Sequence, residues 1–344
     1  MIWSLGKRLF RWLLLAVRVI LSWLILAGLT LWSVGAIYYS NLPAPWMRTV
    51  GAIVFAVGTI IIFVRVRPRW LSRLIFLAAF AGVVIWFLLI PPSNNRDWDP
   101  DLAVLPYADI NGDIITVHNI RNCDYRSETN FTVHYYDKTF DLEKLRTVDL
   151  YMVYWGSPYM AHTMLSFGFE DGSYLCFSIE TRKEKGEGYS AIKGLYRQFE
   201  LIYVVADERD LVRLRTNYRQ GEDAYLYRLR GSPEQARKLF LSYIRRLNEL
   251  HGRPEWYNAI ADNCTTGIRT QRAAADRAPW DWRMLVNGYG NELLYERGRI
   301  DTSLPVAELK QRSLINDKAK AAGQDPDFSA RIREGLPGIL STNR

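Results

Sequence analysis

The first 90 residues contain no aspartate and no glutamate, yet they hold nine basic residues: Lys7, Arg8, Arg11, Arg18, Arg48, Arg65, Arg67, Arg69 and Arg73. A water-facing domain surface intersperses both signs of charge, so this segment does not read as a soluble domain. Subtracting the nine from the chain's net charge of +8 leaves about −1 on the remaining 254 residues of the 344. The basic balance is therefore no nucleic-acid footprint, and no nucleic-acid partner is expected. Cysteine is scarce as well. Three residues, Cys123, Cys176 and Cys264, cannot form a complete disulfide framework, and at least one thiol stays free or pairs with another chain. The four histidines lack H-E-x-x-H spacing and no C-x-x-C occurs, so neither a metal nor a cofactor is expected. Repeats and low-complexity tracts are missing too, which excludes a solenoid.

What the first 90 residues do hold is three apolar runs: 19–40 ("VILSWLILAGLTLWSVGAIYYS"), 49–64 ("TVGAIVFAVGTIIIFV") and 74–90 ("LIFLAAFAGVVIWFLLI"). The first is long enough to span a bilayer. The other two lie near the lower limit of about 17 residues and rely on Trp46, Trp70 and flanking arginines as interfacial anchors. No small-residue cleavage site follows the first run, so three retained spans are expected rather than a signal peptide. Four basic residues precede the first run and "RVRPRWLSR" (65–73) lies between the second and third, whereas the loop "NLPAPWMR" holds one. By the positive-inside rule the chain after Ile90 emerges on the far side, which in a Gram-negative cell is the periplasm. The expected location is the bacterial inner membrane, with domain limits 1–90 for the membrane part, 91–101 for a short linker, 102–290 for a periplasmic domain and 291–344 for a C-terminal helical extension and tail.

Strand character is predicted at 113–120, 131–136, 148–154, 200–206 and 223–229 from β-branched and aromatic content. The stretch "HTMLSFGFEDGSYLCFSIE" reads as a hairpin turning at Asp171-Gly172. A helix follows from Pro233 to about Leu250, with Ser232 as cap and Ala236, Leu239, Phe240, Tyr243, Ile244 and Leu247 at helical spacing. Beyond about 273 strand character is lost, and the last 30 residues read as a peripheral helix and a loose tail. Strands and hairpins first, helices later, indicate an α+β domain.

The segment "WYNAIADNCTTGIRTQ" (256–271) places Cys264 behind Asp262 and Asn263, two good helix N-caps, and hence in the first turn of a predicted helix. Unpaired N–H groups and the helix dipole favour a thiolate there. The dipole supplies at most about 1.5 pKa units, so a base must supply the rest. His162, at the head of the hairpin behind a Gly-Ser-Pro loop, is the expected base, acting as an imidazolium partner. Loop length decides its orienting group: Glu180 falls opposite His162 if the loop has three residues, Thr181 if it has two. Glu180 reads equally well as a strand-end partner for Arg182 or Lys183. In "RNCDYRSE", Asn122, Tyr125 and Arg126, together with Asn263, are candidates for substrate or oxyanion contacts; the same stretch also reads as a hydrogen-bonded loop at the sheet edge. "SAIK" (190–193) matches S-x-x-K, but no S-D-N or K-T-G accompanies it, and it carries no weight.

Four blocks, "RNCDYRSETNF", "YWGSPYMAHTMLSFGFEDGSYLCFSIETR", "ELIYVVADERDLVRLRTNYR" and "EWYNAIADNCTT", resemble the Lnb N-terminal periplasmic domain family in the family's order, over about 100–285. The resemblance implies a circularly permuted papain-like fold, related to NlpC-type and lecithin retinol acyltransferase-like proteins, in which the histidine strand precedes the cysteine helix. His162 and Cys264 occupy those positions. It further implies acyl transfer from phospholipid to a lipoprotein amine through a cysteine thioester, with membrane lipid and a lipoprotein or other envelope substrate as partners. Three N-terminal spans and the lack of a long second domain depart from that setting. A periplasmic cysteine peptidase or amidase, and a non-catalytic envelope binding scaffold, are the alternatives.

Overall fold

The structure is a computed structural model that describes residues 2–258 and 279–339, with side chains of the first helix described from Phe10 onward. The chain divides into two compact units, one comprising residues 1–92 and 196–198 and the other comprising 93–195 and 199–344.

The first unit is built from α1 (Ile2–Tyr38), α2 (Pro45–Arg65) and α3 (Arg69–Leu89). Pro45 opens α2 where its missing N–H costs nothing, and Pro68 lies between α2 and α3 as the N-cap residue of α3. Leu24, Leu31, Ile60 and Leu89 are each more than 60% exposed, although a water-soluble bundle would bury them. All three helices are long and apolar enough to cross a membrane: Phe10–Tyr38, Pro45–Arg65 and Arg69–Leu89. Each begins earlier than its predicted run, because the basic and leucine-rich flanks are strong helix formers that hydropathy alone leaves out. Trp23 against Phe63 and Trp32 against Phe80 and Phe87 hold the helices together.

The second unit is an α+β domain. Ten strands are described: β1 (Tyr107–Asn111), β2 (Ile114–Arg121), β3 (Asp124–Tyr125), β4 (Phe131–Thr132), β5 (Tyr135–Asp141), β6 (Leu145–Trp155), β7 (Ala161–Phe169), β8 (Tyr174–Arg182), β9 (Glu200–Ala206) and β10 (Glu222–Arg228). Eight of them form one sheet in the order β1-β2-β9-β8-β7-β6-β10, with β5 on β2; β3 and β4 pair separately. The pairs are antiparallel except β2 with β9. The strand predicted over 131–136 is broken in two, and β1 carries too few apolar residues to announce itself.

Both faces of the sheet are covered, so its central strands are apolar throughout rather than alternating. One face receives α4 (Pro233–Gly252), started by a Ser232/Gln235 capping box, whose Phe240 and Tyr243 pack edge-on against Phe167 and Phe177. The other receives the C-terminal segment. Ile315, Phe328 and Ile332 are fully buried beside Tyr151, Met164, Cys176 and Val204. Arg333, 4% exposed, forks onto Glu208 at 2.6 and 2.7 Å and reaches Asp149 at 2.9 Å. The loose tail expected from composition is thus a structural layer as far as residue 339; short helices with one apolar residue per turn, and a buried but paired arginine, give a polar composition. The expected linker also differs, since Trp98 is 5% exposed with the Arg182 guanidinium 4.2 Å above its ring, and Arg96 pairs with Glu200 at 2.8 Å.

Candidate functional site

The β7–β8 loop sets the site. The Phe169 N–H donates to the Ser173 carbonyl at 2.9 Å, which leaves three loop residues, Glu170, Asp171 and Gly172. Gly172 has φ +78°, the left-handed position such a loop assigns to glycine. The register then pairs Met164 with Ser178, and one further step of two residues brings His162 opposite Glu180, with Ser178 on the same face. Thr181 points the other way.

The side chains complete what the register begins. His162 Nε2 lies 2.7 Å from Ser178 Oγ, which donates to Glu180 Oε1 at 2.7 Å; the direct Nε2 to Oε1 distance is 3.7 Å. With the single hydroxyl proton given to Glu180, Ser178 can only accept from the ring, so Nε2 carries hydrogen and Nδ1 is the lone-pair nitrogen. Arg215, on a turn of π-helix (Leu214–Tyr218) that follows a short helix at Glu208–Arg213, donates to the same Glu180 oxygen at 3.1 Å and reaches Glu222 at 3.5 Å. Neither Ser178 as a bridge nor Arg215 was foreseen as part of the site; the only signal for Arg215 was its place in the block "ERDLVRLRTNYR".

These charges fix protonation. Burial and then the Arg215 cation push the His162 imidazole down to about 3, against the opposing pull of Glu180. Burial would raise the Glu180 carboxyl, but the Arg215 and Arg121 cations and the hydrogen bond from Ser178 outweigh it and hold it well below the ordinary carboxylate range. The ring is therefore neutral at rest, which corrects the expectation of a standing imidazolium. Arg215, invisible as a neighbour in the sequence, is the reason after burial itself.

Behind the ring, Asn287 brackets the backbone of Ala161: the Ala161 N–H donates to Asn287 Oδ1 at 2.9 Å and Asn287 Nδ2 donates to the Ala161 carbonyl at 2.6 Å. The Gly288 N–H donates to the Tyr159 carbonyl at 3.0 Å, so the loop preceding β7 is held next to His162. A Cβ on Gly288 would lie 2.1 Å from the Pro158 carbonyl oxygen, so only glycine fits.

The remaining candidates fall elsewhere. The Tyr125 hydroxyl donates to Asp210 at 3.2 Å, and Asp210 also accepts from Arg121 at 2.8 and 2.9 Å and from the Cys123 N–H at 2.7 Å. Arg126 is spent on Asn130 and Thr132 at 3.0 and 3.1 Å, and the Asn122 N–H donates to the His134 carbonyl at 2.8 Å. None of the three hydrogen-bonds to His162, Ser178 or Glu180; they build the β3–β4 loop. Cys123 and Cys176 are buried free thiols, and burial pushes Cys123 up to about 12 and Cys176 upward likewise. Cys264 and Asn263 lie outside the described residues. Among the described residues, no three His, Cys, Asp or Glu side chains gather as a metal would require.

Residues 131–288 match the family model of the Lnb N-terminal periplasmic domain. This segment is a Lnb N-terminal periplasmic domain. The matched span begins at β4 rather than near residue 100, so it holds His162, Ser178, Glu180, Arg215 and Asn287 and leaves out Asn122, Tyr125 and Arg126. The chain is accordingly a membrane-associated protein with a periplasmic Lnb N-terminal domain. No curated protein and no solved structure matches it.

Proposed function

We propose that this protein is a multi-pass inner-membrane enzyme whose periplasmic Lnb N-terminal domain is a circularly permuted papain-like fold and transfers acyl groups through Cys264. The observation that carries the reading is the chain Arg215, Glu180, Ser178, His162, which leaves Nδ1 as an acceptor with no hydrogen bond among the described residues. A base of that form needs a nucleophile that brings its own proton, and a thiol does. The Cys264 thiol gives its proton to His162 Nδ1, and the thiolate attacks the ester carbonyl of a phospholipid. The imidazolium so formed is stabilised by the new thiolate and by Glu180 against Arg215. As the C–O bond breaks, His162 returns the proton to the departing lysolipid oxygen, leaving a thioester on Cys264. An amine, of a lipoprotein in the favoured case, then attacks the thioester; its proton passes to His162 and the thiolate departs.

Intact-mass spectrometry of the full-length protein from membranes tests this. An acyl mass on the wild-type chain, missing from Cys264→Ser, is expected. Equal acylation of both proteins would discard the thiol mechanism and leave a binding scaffold.

A further inference from the structure

The first unit carries a feature the acyl-transfer reading does not use. A cavity of about 800 Å³ opens among α1, α2 and α3, with apolar walls that include Leu29, Phe63 and Phe76, and with Arg18, Arg69 and Arg73 on its lining. The three cations come from two helices and lie together on the side predicted to be cytoplasmic by the positive-inside rule. No carboxylate exists anywhere in residues 1–90 to neutralise them, and 196–198 is Tyr-Arg-Gln. Arg69 donates to the Phe63 carbonyl at the end of α2, whereas the Arg18 and Arg73 side chains make no hydrogen bond among the described residues. From Arg18 to Leu29 the wall runs eleven residues, roughly 16 Å of helix, long enough for a headgroup and the upper part of an acyl chain.

We infer that this cavity is a site for one anionic phospholipid, its phosphate held by Arg18, Arg69 and Arg73 and its acyl chain lying along Leu29, Phe63 and Phe76. The occupant follows from charge complementarity: a cationic end without internal counter-ions, joined to an apolar wall, fits a lipid and not a soluble anion. The site rests on the reading of α1–α3 as membrane spans and is separate from the acyl-transfer chemistry.

Native mass spectrometry of the full-length protein in detergent, titrated with phosphatidylglycerol or phosphatidylethanolamine, tests the inference. One phosphatidylglycerol should be retained at least about tenfold better than phosphatidylethanolamine, since each guanidinium near an anionic headgroup contributes several-fold. The triple variant Arg18→Gln, Arg69→Gln, Arg73→Gln should lose the preference, the matching triple Lys variant should keep it, and Arg48→Gln, in the first turn of α2 and outside the cavity lining, should not affect it. Equal retention of the two lipids by wild type, or an unchanged preference in the Gln variant, overturns the site. Competition by millimolar inorganic phosphate overturns it too, because it would assign the cations to a free anion. Should the Gln variant not fold, wild type against the Lys variant and Arg48→Gln still decides. A topology measurement with reporter fusions separates failure of the spans from failure of the lipid site.

Discussion

Ser178 has one proton and two polar clients, one of them charged, and that arithmetic governs the residue scale. Its hydroxyl donates to Glu180 and accepts from His162, so removing it breaks the short path that the described residues provide between ring and carboxylate, whose direct separation is 3.7 Å. Ser178→Ala should lower acyl-enzyme formation by about 10- to 100-fold, within the range of a disturbed general base. Glu180→Gln should cost less than His162→Ala or Cys264→Ala, because an amide oxygen still accepts from Ser178. Single-turnover rates of thioester formation check both; an unimpaired Ser178→Ala would mean that the bridge has no part in orienting the ring. The depressed His162 pKa gives a second prediction. An unfolded histidine binds a proton near pH 6.5 and the folded ring only near 3, so its contribution to stability is intact above about 6.5 and is lost as pH falls through that window. Glu180, lowered from its ordinary 4.5, adds acid sensitivity only below that value. Glu200, raised to about 7 by burial, titrates over part of the same range with the opposite sign. The measurement is therefore the difference between wild type and His162→Gln in chemical denaturation: the variant should lose less stability between pH 6.5 and 4.5, and parallel curves would contradict a neutral ring at rest.

At the scale of elements, the connections matter more than the strands. Asn287 ties the last described loop before the C-terminal segment to β7, and Gly288 permits its approach. Asn287→Ala strips two hydrogen bonds from the Ala161 backbone and should cost about 1 to 3 kcal/mol while loosening His162. Gly288→Ala should be at least as damaging, since the added methyl meets backbone that cannot rotate away. Urea denaturation of the two variants decides whether this clamp is structural. The regular elements were legible in the sequence: the β-branched runs of β6 and β9, the heptad-like face of α4 and the Asp-Gly turn of the hairpin all express local preferences. The pairing of His162 with Glu180 was legible only as a condition on loop length, because a two-residue and a three-residue loop suit the same Glu-Asp-Gly sequence. Arg215 and Asn287 were not legible, for they reach the site through space from residues 53 and 125 positions away from His162 in the chain. The C-terminal layer escaped for a different reason. Its apolar residues are diluted by charge, and its strongest anchor, Arg333, is itself charged.

For the whole molecule, charge distribution is the property that carries the proposed orientation. Nine cations and no anion in the first 90 residues fall unevenly: Arg48 alone lies near the turn from α1 to α2, in the first turn of α2, while Arg65, Arg67, Arg69 and Arg73 cluster around the turn from α2 to α3. Each arginine forced across a bilayer carries a cost of a few kcal/mol, so keeping the cluster inside outweighs one exported Arg48. On the proposed topology, three crossings from an internal N-terminus would deliver the Lnb N-terminal domain outside, in keeping with the periplasmic domain family that residues 131–288 match. A C-terminal alkaline phosphatase fusion to the full chain should therefore be active, and a C-terminal fusion to a cytoplasm-dependent reporter should be silent. Neutralising Arg65, Arg67, Arg69 and Arg73 to Gln while adding three lysines to the α1–α2 loop reverses the loop bias and should shift a measurable fraction of chains to the opposite reporter pattern. An internal C-terminus in the wild-type fusion would remove the domain from the periplasm, and with it the envelope substrates on which the acyl-transfer proposal depends.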